Sequence, residues 1–459
     1  MKYLEKRQLI LEGNLTKTII TLSLPLMINN FIQTIYNITD TYFVGKLGTT
    51  SIAAIQFVWP LTFLMLSFAT GIGVAATALI SQSIGAHDSQ KAITFAGQTL
   101  LFNSVFSIIF GLLGYLISPW LLSVLGASGP LYEGALSFLQ VMFLGMPTLF
   151  SMVLFAGIKA GEGDNKTPMI FGAISVVLNI ILDPLFIFTF GFGIKGAAIA
   201  TVIARGLIGF YAISTLFSKN NALRIDLSSL SLKYGEMKTL LRMGIPSSIG
   251  QSTAAFGFTI MNIFIISLGE STLTAFTIGN RISGLVMMPA LGIGSAISAI
   301  IGQNLGAGNI GRARSAVKTS SVLSTAFLIV MGSILIALSE NVVKIFSQDP
   351  EVIFQGTHYM RLITMTLPLV GFFQIFIGTF QGSGHTKVSM FLMISRLWLL
   401  RIPMLYIFKN FTNFRPDSVW TAMILSNVII CIIGGLFLRF SDWTRLKEKK
   451  STLARSANV

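Results

Sequence analysis

Residues Ala69 to Ala86 read ATGIGVAATALISQSIGA, and Ala290 to Ala307 read ALGIGSAISAIIGQNLGA. Ten of these eighteen positions are identical without a gap, at a constant offset of 221 residues. The same offset lays Pro25 on Pro246, Pro147 on Pro368, and Gly157, Gly161 and Gly163 on Gly378, Gly382 and Gly384. Identity at one fixed spacing marks a duplicated unit. Both copies sit in long apolar runs, and a membrane span needs about 20 such residues. Counted this way, the chain has twelve spans, centred near residues 28, 67, 104, 145, 178, 206, 253, 288, 325, 366, 398 and 428. Six spans per unit is an even number, so both units enter the membrane with the same polarity and the repeats are parallel. The expected fold is an all-α polytopic membrane protein of 12 transmembrane helices in two pseudo-symmetric six-helix lobes. Residues 1–217 form the N-lobe, the Ser-, Lys- and Asn-rich stretch 218–238 is a cytoplasmic linker, and 239–459 form the C-lobe with a basic tail.

Composition agrees. Of 459 residues, 53% are hydrophobic and 11% charged, under half the charged share of about 25% in soluble domains. That excludes an ordinary soluble enzyme, and the high apolar content excludes disorder. The lone Cys431 rules out a disulfide framework. With His87, His358 and His385 as the only histidines, little remains for a metal cluster. Residues 1–14 lack a short apolar core with a cleavage site, so no signal peptide is expected. The net charge of +15 suggests topology rather than nucleic acid. With the N-terminus inside, 22 basic residues fall on the cytoplasmic side and five outside: Lys46, Lys195, Lys344, Lys409 and Arg415. Five more, Arg205, Arg281, Arg361, Arg396 and Arg401, lie in or at the edge of spans. This bias predicts a cytoplasmic-membrane protein with both termini cytoplasmic. The tail Lys447-Glu448-Lys449-Lys450 reads as a topology anchor, with anionic-lipid binding as the second reading.

Two parallel helical halves suit a transporter that works by alternating access. Neither GEGDNKTP (Gly161–Pro168) nor GSGHTK (Gly382–Lys387) has P-loop spacing, and both read as tight turns between spans. An ion gradient is therefore the expected energy source. Only two of the seventeen acidic residues, Asp40 and Asp183, fall well inside spans. A charge there costs about 2.5–3.5 kcal/mol on insertion scales, which points to function; an ion pair of Asp183 with Arg205 is the structural alternative. Asn30, Gln33, Asn37 and Asp40 share one face of span 1, bordered by Tyr36. Ser175, Asn179 and Asp183 share one face of span 5, with Pro184 next in sequence. Asp40, Asp183 and Thr201 of span 6 each fall roughly 10 Å below the outer surface at the helical rise. Two carboxylates, an amide and a hydroxyl at one depth suit exchange of either a proton or Na⁺.

The second half lacks these acids. Met261 stands opposite Asp40, and Arg401-Ile402-Pro403-Met404 stands opposite Asp183. The C-lobe instead is expected to bury Arg281, Arg396 and Arg401 with Gln251, Asn280, Gln374 and Gln381. These arginines could snorkel, gate, or contact an anionic substrate. Gly71, Gly73, Gly292 and Gly294 should allow close helix approach. The 37 Phe and 19 Met could line an aromatic cavity, although most must pack or face lipid. An enzyme is not expected, because no nucleophile–base pair, metal cluster or large soluble loop is evident.

The opening LSLPLMINNFIQTIYNITDTYFVGKLGTTSIAA (22–54), the Gly-rich stretch and its copy, NIILDPLFIF (179–188) and GIKGAAIAT (193–201) together resemble the MATE (multidrug and toxin extrusion) antiporters, over nearly the whole chain. The pattern is most similar to the prokaryotic DinF-like branch. The resemblance implies two six-helix lobes around a V-shaped cavity, and export of organic cations in exchange for H⁺ or Na⁺ with no other cofactor. It implies a coupling-ion site at Asp40, Asn179, Asp183 and Thr201, with Gln33 and Tyr36 at neighbouring positions of the substrate cavity; Asn37, on the same face of span 1, is read as a further cavity residue. Arg281 and Arg401 are left as candidates for gating or substrate contact. The expected partners are small organic cations and the bilayer, with no nucleic acid, and the unit is a monomer. A lipid-linked oligosaccharide flippase of the same wider superfamily is the alternative, favoured only if the C-lobe arginines share one cavity.

Overall fold

The computed structural model describes residues 3–219, 221, 223–412 and 417–446. Arg415 and the Lys447–Lys450 tail lie outside the described residues. The described chain is helical from end to end. A short α1 (Tyr3–Leu11) precedes α2 (Leu15–Gly45), α3 (Thr49–Gly85), α4 (Ser89–Val124), α5 (Gly129–Leu144), α6 (Met146–Gly161), α7 (Lys166–Pro184) and α8 (Gly193–Phe217). The second set is α9 (Tyr234–Ile266), α10 (Glu270–Gly306), α11 (Ile310–Ala337), the short α12 (Ser339–Phe346), α13 (Pro350–Gly382), α14 (Thr386–Ile394), α15 (Ile402–Phe411) and α16 (Asp417–Phe440). Eleven segments are long and apolar enough to cross a membrane. The pair α5 and α6, bent by 55°, makes a twelfth. All twelve expected span centres fall within these segments. The fourth, near residue 145, falls on the bend itself, at Gly145. A Cβ there would run into the Val202 side chain, so the break occurs where glycine lets α8 approach.

Each half is a compact unit with its own apolar core. The first comprises the described part of residues 1–9 and residues 28–249. Its core includes Ile72, Leu79, Phe95, Phe155 and Ile158, and, in a second cluster, Met65, Leu139 and Phe150. Lys6 pairs with Asp164 at 2.9 Å, and Arg7 Nε donates to the Ile84 carbonyl at 3.2 Å, which ties the start of the chain to this unit. The second unit comprises residues 10–27 and the described residues from Gly250 onward. Ile10, Ile19 and Leu22 join its core with Ile297, Ile300 and Phe380, and Arg312 Nε donates to the Ile10 carbonyl at 2.9 Å. The chain changes unit at 9/10 in α1, at 27/28 in α2 and at 249/250 in α9, the last two within four residues of the repeat-related Pro25 and Pro246.

Repeat-equivalent glycines make equivalent crossings. A Cβ on Gly157 would strike the backbone of Gly73, and one on Gly378 would strike the backbone of Gly294. The α3–α6 and α10–α13 crossings are therefore backbone to backbone, as small residues permit in membranes. Thr77 Oγ1 donates to the Gly157 carbonyl at 2.8 Å and pins the first crossing. The two loops that superficially suggest phosphate binding are tight turns, with Gly163 at φ +78° and Gly384 at φ +82°. Left-handed backbone of this kind is what glycine allows.

Candidate functional site: a polar centre in each unit

In the first unit the site is assembled from α2, α7 and α8. Helix α7 carries Asn179 and Asp183 one turn apart and ends at Pro184, after which Leu185–Thr189 forms a π-helical turn. Proline cannot donate to the carbonyl one turn back, and such π turns recur at functional sites. The carboxylate is enclosed: Asp183 is 0% exposed, Asn179 2% and Thr201 4%. Asn179 Nδ2 donates to Asp183 Oδ1 at 3.1 Å and lies 3.5 Å from Thr201 Oγ1. Thr201 Oγ1 also meets the Tyr36 hydroxyl at 2.9 Å, which brings α2 into the cluster. Two acceptors are left over. Asp183 Oδ2 and Asn179 Oδ1 are buried and have no hydrogen-bond partner. Most buried polar atoms are satisfied, so two adjacent orphans need a reason.

Asp40 is half-buried and makes no hydrogen bond among the described residues, but it interacts electrostatically with Arg205, Tyr36 and Asp183. Arg205 forms no ion pair with Asp183. Its guanidinium stacks instead on the Tyr36 ring, 5.1 Å from the centroid. Gln33 is half-buried and Asn37 exposed, and neither hydrogen-bonds to the cluster. The structure thus brings Asn179, Asp183, Thr201 and Tyr36 into one network, with Asp40 at its edge and Gln33 and Asn37 outside it. No group of three or more His, Cys, Asp or Glu suited to a metal occurs among the described residues. Oxygen ligands for a hard cation would have to come from the mixed set of carboxylate, amide and hydroxyl.

The second unit has a polar centre of opposite sign. A π-helical segment, Ser395–Arg401, precedes Pro403 and carries Arg396 and Arg401. Arg401 is 2% exposed. Its Nε donates to Ser426 Oγ at 3.0 Å and its Nη2 to Asn427 Oδ1 at 2.8 Å. Arg396 Nε donates to the same Asn427 oxygen at 3.2 Å and stacks on Phe373, 4.9 Å from the centroid. Asn427 Nδ2 passes a hydrogen bond to Thr366 Oγ1 at 3.2 Å. Arg281 does not join them. It is exposed, which corrects the expectation that all three arginines are buried together. Met261, opposite Asp40, is wholly buried in an apolar cluster with Ile265, Phe276 and Leu405. Ser426 and Asn427 escaped the sequence reading; the available signal was two adjacent polar residues in the middle of an otherwise apolar span.

A third group lies at the end of the bent span. Lys159, 6% exposed, donates to Glu162 Oε2 at 2.9 Å and to Asn221. Burial pushes the Glu162 carboxyl up, against the pull of Lys159. Burial acts the same way on Asp164, but hydrogen bonds from Lys6 and Thr167 hold its carboxyl below the usual carboxylate range.

The chain resembles proteins of known class over almost its full length. It is 26% identical to the "Probable multidrug resistance protein NorM" of Thermotoga maritima, covering 99% of this chain and 97% of that protein. It is 24% identical to the "Multidrug export protein MepA" of Staphylococcus haemolyticus, covering 96% and 97%. Among solved structures, the outward-facing conformation of a multidrug resistance MATE family transporter of the MOP superfamily superposes with a TM-score of 0.90 at 27% identity, covering 96% of this chain and 99% of that one. The sequence profile of the MatE family matches residues 25–185 and 246–407, one stretch in each half and together more than half of the chain. With its twelve-span duplicated fold, this multi-span membrane protein belongs to the MATE family of transporters.

Proposed function

We propose that this protein exports organic cations, drugs among them, in exchange for H⁺ or Na⁺ by alternating access. It works as a monomer in the cytoplasmic membrane with both termini cytoplasmic, and it uses no cofactor beyond the coupling ion. The observation that carries the reading is the pair of buried, unpartnered oxygens, Asp183 Oδ2 and Asn179 Oδ1, beside a network that reaches α2 through Thr201 and Tyr36. An unmet acceptor in a water-poor site is costly. One proton on Asp183 would turn its free oxygen into a donor. One Na⁺ would give both oxygens a ligand position. Either ion relieves the same deficit, and its release restores it. Asp40, at the rim, is the group that would pass the ion between the solvent side and Asp183. Tyr36, linked to Thr201, would report the change to α2. Multidrug export is what the name of the Staphylococcus haemolyticus relative describes, and multidrug resistance that of the Thermotoga maritima one.

The flippase alternative needs a shared cationic cavity in the second unit. Arg281 is exposed, and Arg401 is engaged with Ser426 and Asn427, so the arginines give it no support. The test is export of a fluorescent organic cation from proteoliposomes under an imposed pH gradient with Na⁺ absent, then with Na⁺ added. Export under either gradient is expected, and the condition identifies the ion. Absence of export under both, from folded protein, sinks the reading.

A further inference from the structure

We infer that the second unit carries a binding site for an anionic diacyl phospholipid, formed by α11, α13 and α16 at the end of the span that closes on Phe440. Two adjoining grooves share Lys318, Ser321 and Phe372. The larger, about 600 Å³, is rimmed by Arg314, Lys318 and Arg439, with Trp443 in its wall. The smaller, about 380 Å³, continues along Val322, Ala326 and Ile329. The first is a cationic pocket and the second an apolar strip.

Spacing joins them into one site. Residues 314, 318, 321, 325 and 329 recur at helical period, so they lie along one face of α11. From Lys318 to Ile329 the helix rises roughly 16 Å, about half of the 30 Å hydrocarbon thickness. That is one leaflet. A lipid whose phosphate sits at Lys318 would therefore lay an acyl chain along the apolar strip to the bilayer midplane. Val322 is 59% exposed and Ile329 53%, so the strip is open to such a chain.

The rim lacks a counter-charge. Arg314, Lys318 and Arg439 form no ion pair among the described residues, and the one acid in the wall, Asp442, is paired with Arg445 at 3.4 Å. One hydroxyl in the pocket wall, Ser441 Oγ, is buried without a hydrogen-bond partner, within reach of a headgroup. Trp443 is 4% exposed and donates its indole N–H to the Leu438 carbonyl at 3.0 Å, which holds the pocket wall in place at the span's end. From Lys447 onward the sequence carries four basic residues against one acid, a charge that does not complement the rim. Clusters of Lys and Arg at a span end are suited to anionic headgroups.

The test uses the full-length protein, delipidated in uncharged detergent, with native mass spectrometry as the readout. Phosphatidylglycerol and phosphatidylcholine of the same acyl chains are titrated in parallel. Phosphatidylglycerol should bind at least tenfold more tightly. In the variant R314Q/K318Q/R439Q the preference should vanish, each neutralisation weakening phosphatidylglycerol about fivefold. Ala326→Trp, which fills the strip and leaves the rim charged, should weaken phosphatidylglycerol about tenfold. Millimolar inorganic phosphate should not displace it. Equal binding of the two lipids overturns the proposal, as does a preference that survives the triple variant. Displacement by phosphate, with Ala326→Trp binding normally, also overturns it by reducing the site to a free-anion pocket. Unchanged elution and melting temperature without lipid exclude misfolding of either variant.

Discussion

Span 5 and span 11 occupy the same place in the two repeats, and they solve the problem of a buried charge in opposite ways. Each combines a proline with a π-helical segment, placed after Pro184 in the first and before Pro403 in the second. Each encloses one ionisable group, Asp183 or Arg401. The groups that hydrogen-bond to Arg401 are matched, while the Tyr359 hydroxyl, which interacts with it electrostatically, stays buried without a partner. Ser426 accepts from the arginine and donates to the Met423 carbonyl at 2.9 Å, and Thr366 accepts from Asn427 and donates to the Ile363 carbonyl at 2.8 Å. Around Asp183 two acceptors remain empty. A closed network holds helices together. A network short of a donor is poised to receive one. On the function proposed above, the two centres would separate two roles, structural in the second unit and ion-handling in the first.

The largest expected effect tests that division. Asp183→Asn keeps the shape and removes the charge, so gradient-driven export in proteoliposomes should fall to the leak of protein-free vesicles, while elution and melting temperature stay near wild type. Wild-type export by this variant would end the proposed role of Asp183. Arg401→Met should do the reverse. It strips Ser426 Oγ and Asn427 Oδ1 of a donor, at about 1–3 kcal/mol of stability, seen as a lower melting temperature in detergent, and the folded fraction should still couple. Loss of coupling at unchanged stability would make the two centres functionally alike.

Thr201→Val removes the hydroxyl between Tyr36 and Asn179 without changing side-chain size. Losing about 1.4 kcal/mol of interaction corresponds to tenfold, so half-maximal export should need about tenfold more coupling ion. The smallest effect concerns the two loops. The first copy has Asp164, bonded to Lys6 and Thr167; the second has His385, whose Nδ1 meets Ser383 Oγ at 3.1 Å. Asp164→Ala removes the side-chain acceptor at the start of α7 and should cost about 1 kcal/mol. The Asp164 carboxyl is held below its usual range, so its contribution is complete above the ordinary carboxylate value and fades as pH falls through the lowered one. Melting of the wild type should therefore be more acid-sensitive than that of Asp164→Ala, and equal slopes would argue that the pair contributes nothing.

Much of this was legible in one dimension. Asn179 and Asp183, four residues apart on an apolar helix, had to share a face. The match in depth of Asp40, Asp183 and Thr201 followed from the helical rise; the structure links Asp183 and Thr201 through Asn179 and leaves Asp40 at the edge. Other features were not legible because they depend on which helix faces which. Arg281 and Arg401 look alike in sequence, each an arginine in an apolar run, yet one is exposed and the other enclosed. Arg205 looked like the partner of Asp183 and stacks on Tyr36 instead. The bend at Gly145 was hidden inside a continuous apolar run. Its repeat counterpart, Thr366, lies in the uninterrupted α13.

By itself the sequence determined the span count, the duplication and the short list of charges inside spans. Hydrophobic length and a constant repeat offset are properties of a line of residues, and the bilayer reads them directly. Tertiary structure alone decided which charge was left short of a partner. Hydrogen bonds between α2, α7 and α8, or between the Arg401 segment, α13 and α16, act over about 3 Å. Residues that distance apart in space are here 22 to 165 positions apart along the chain. No periodicity along the chain carries that information.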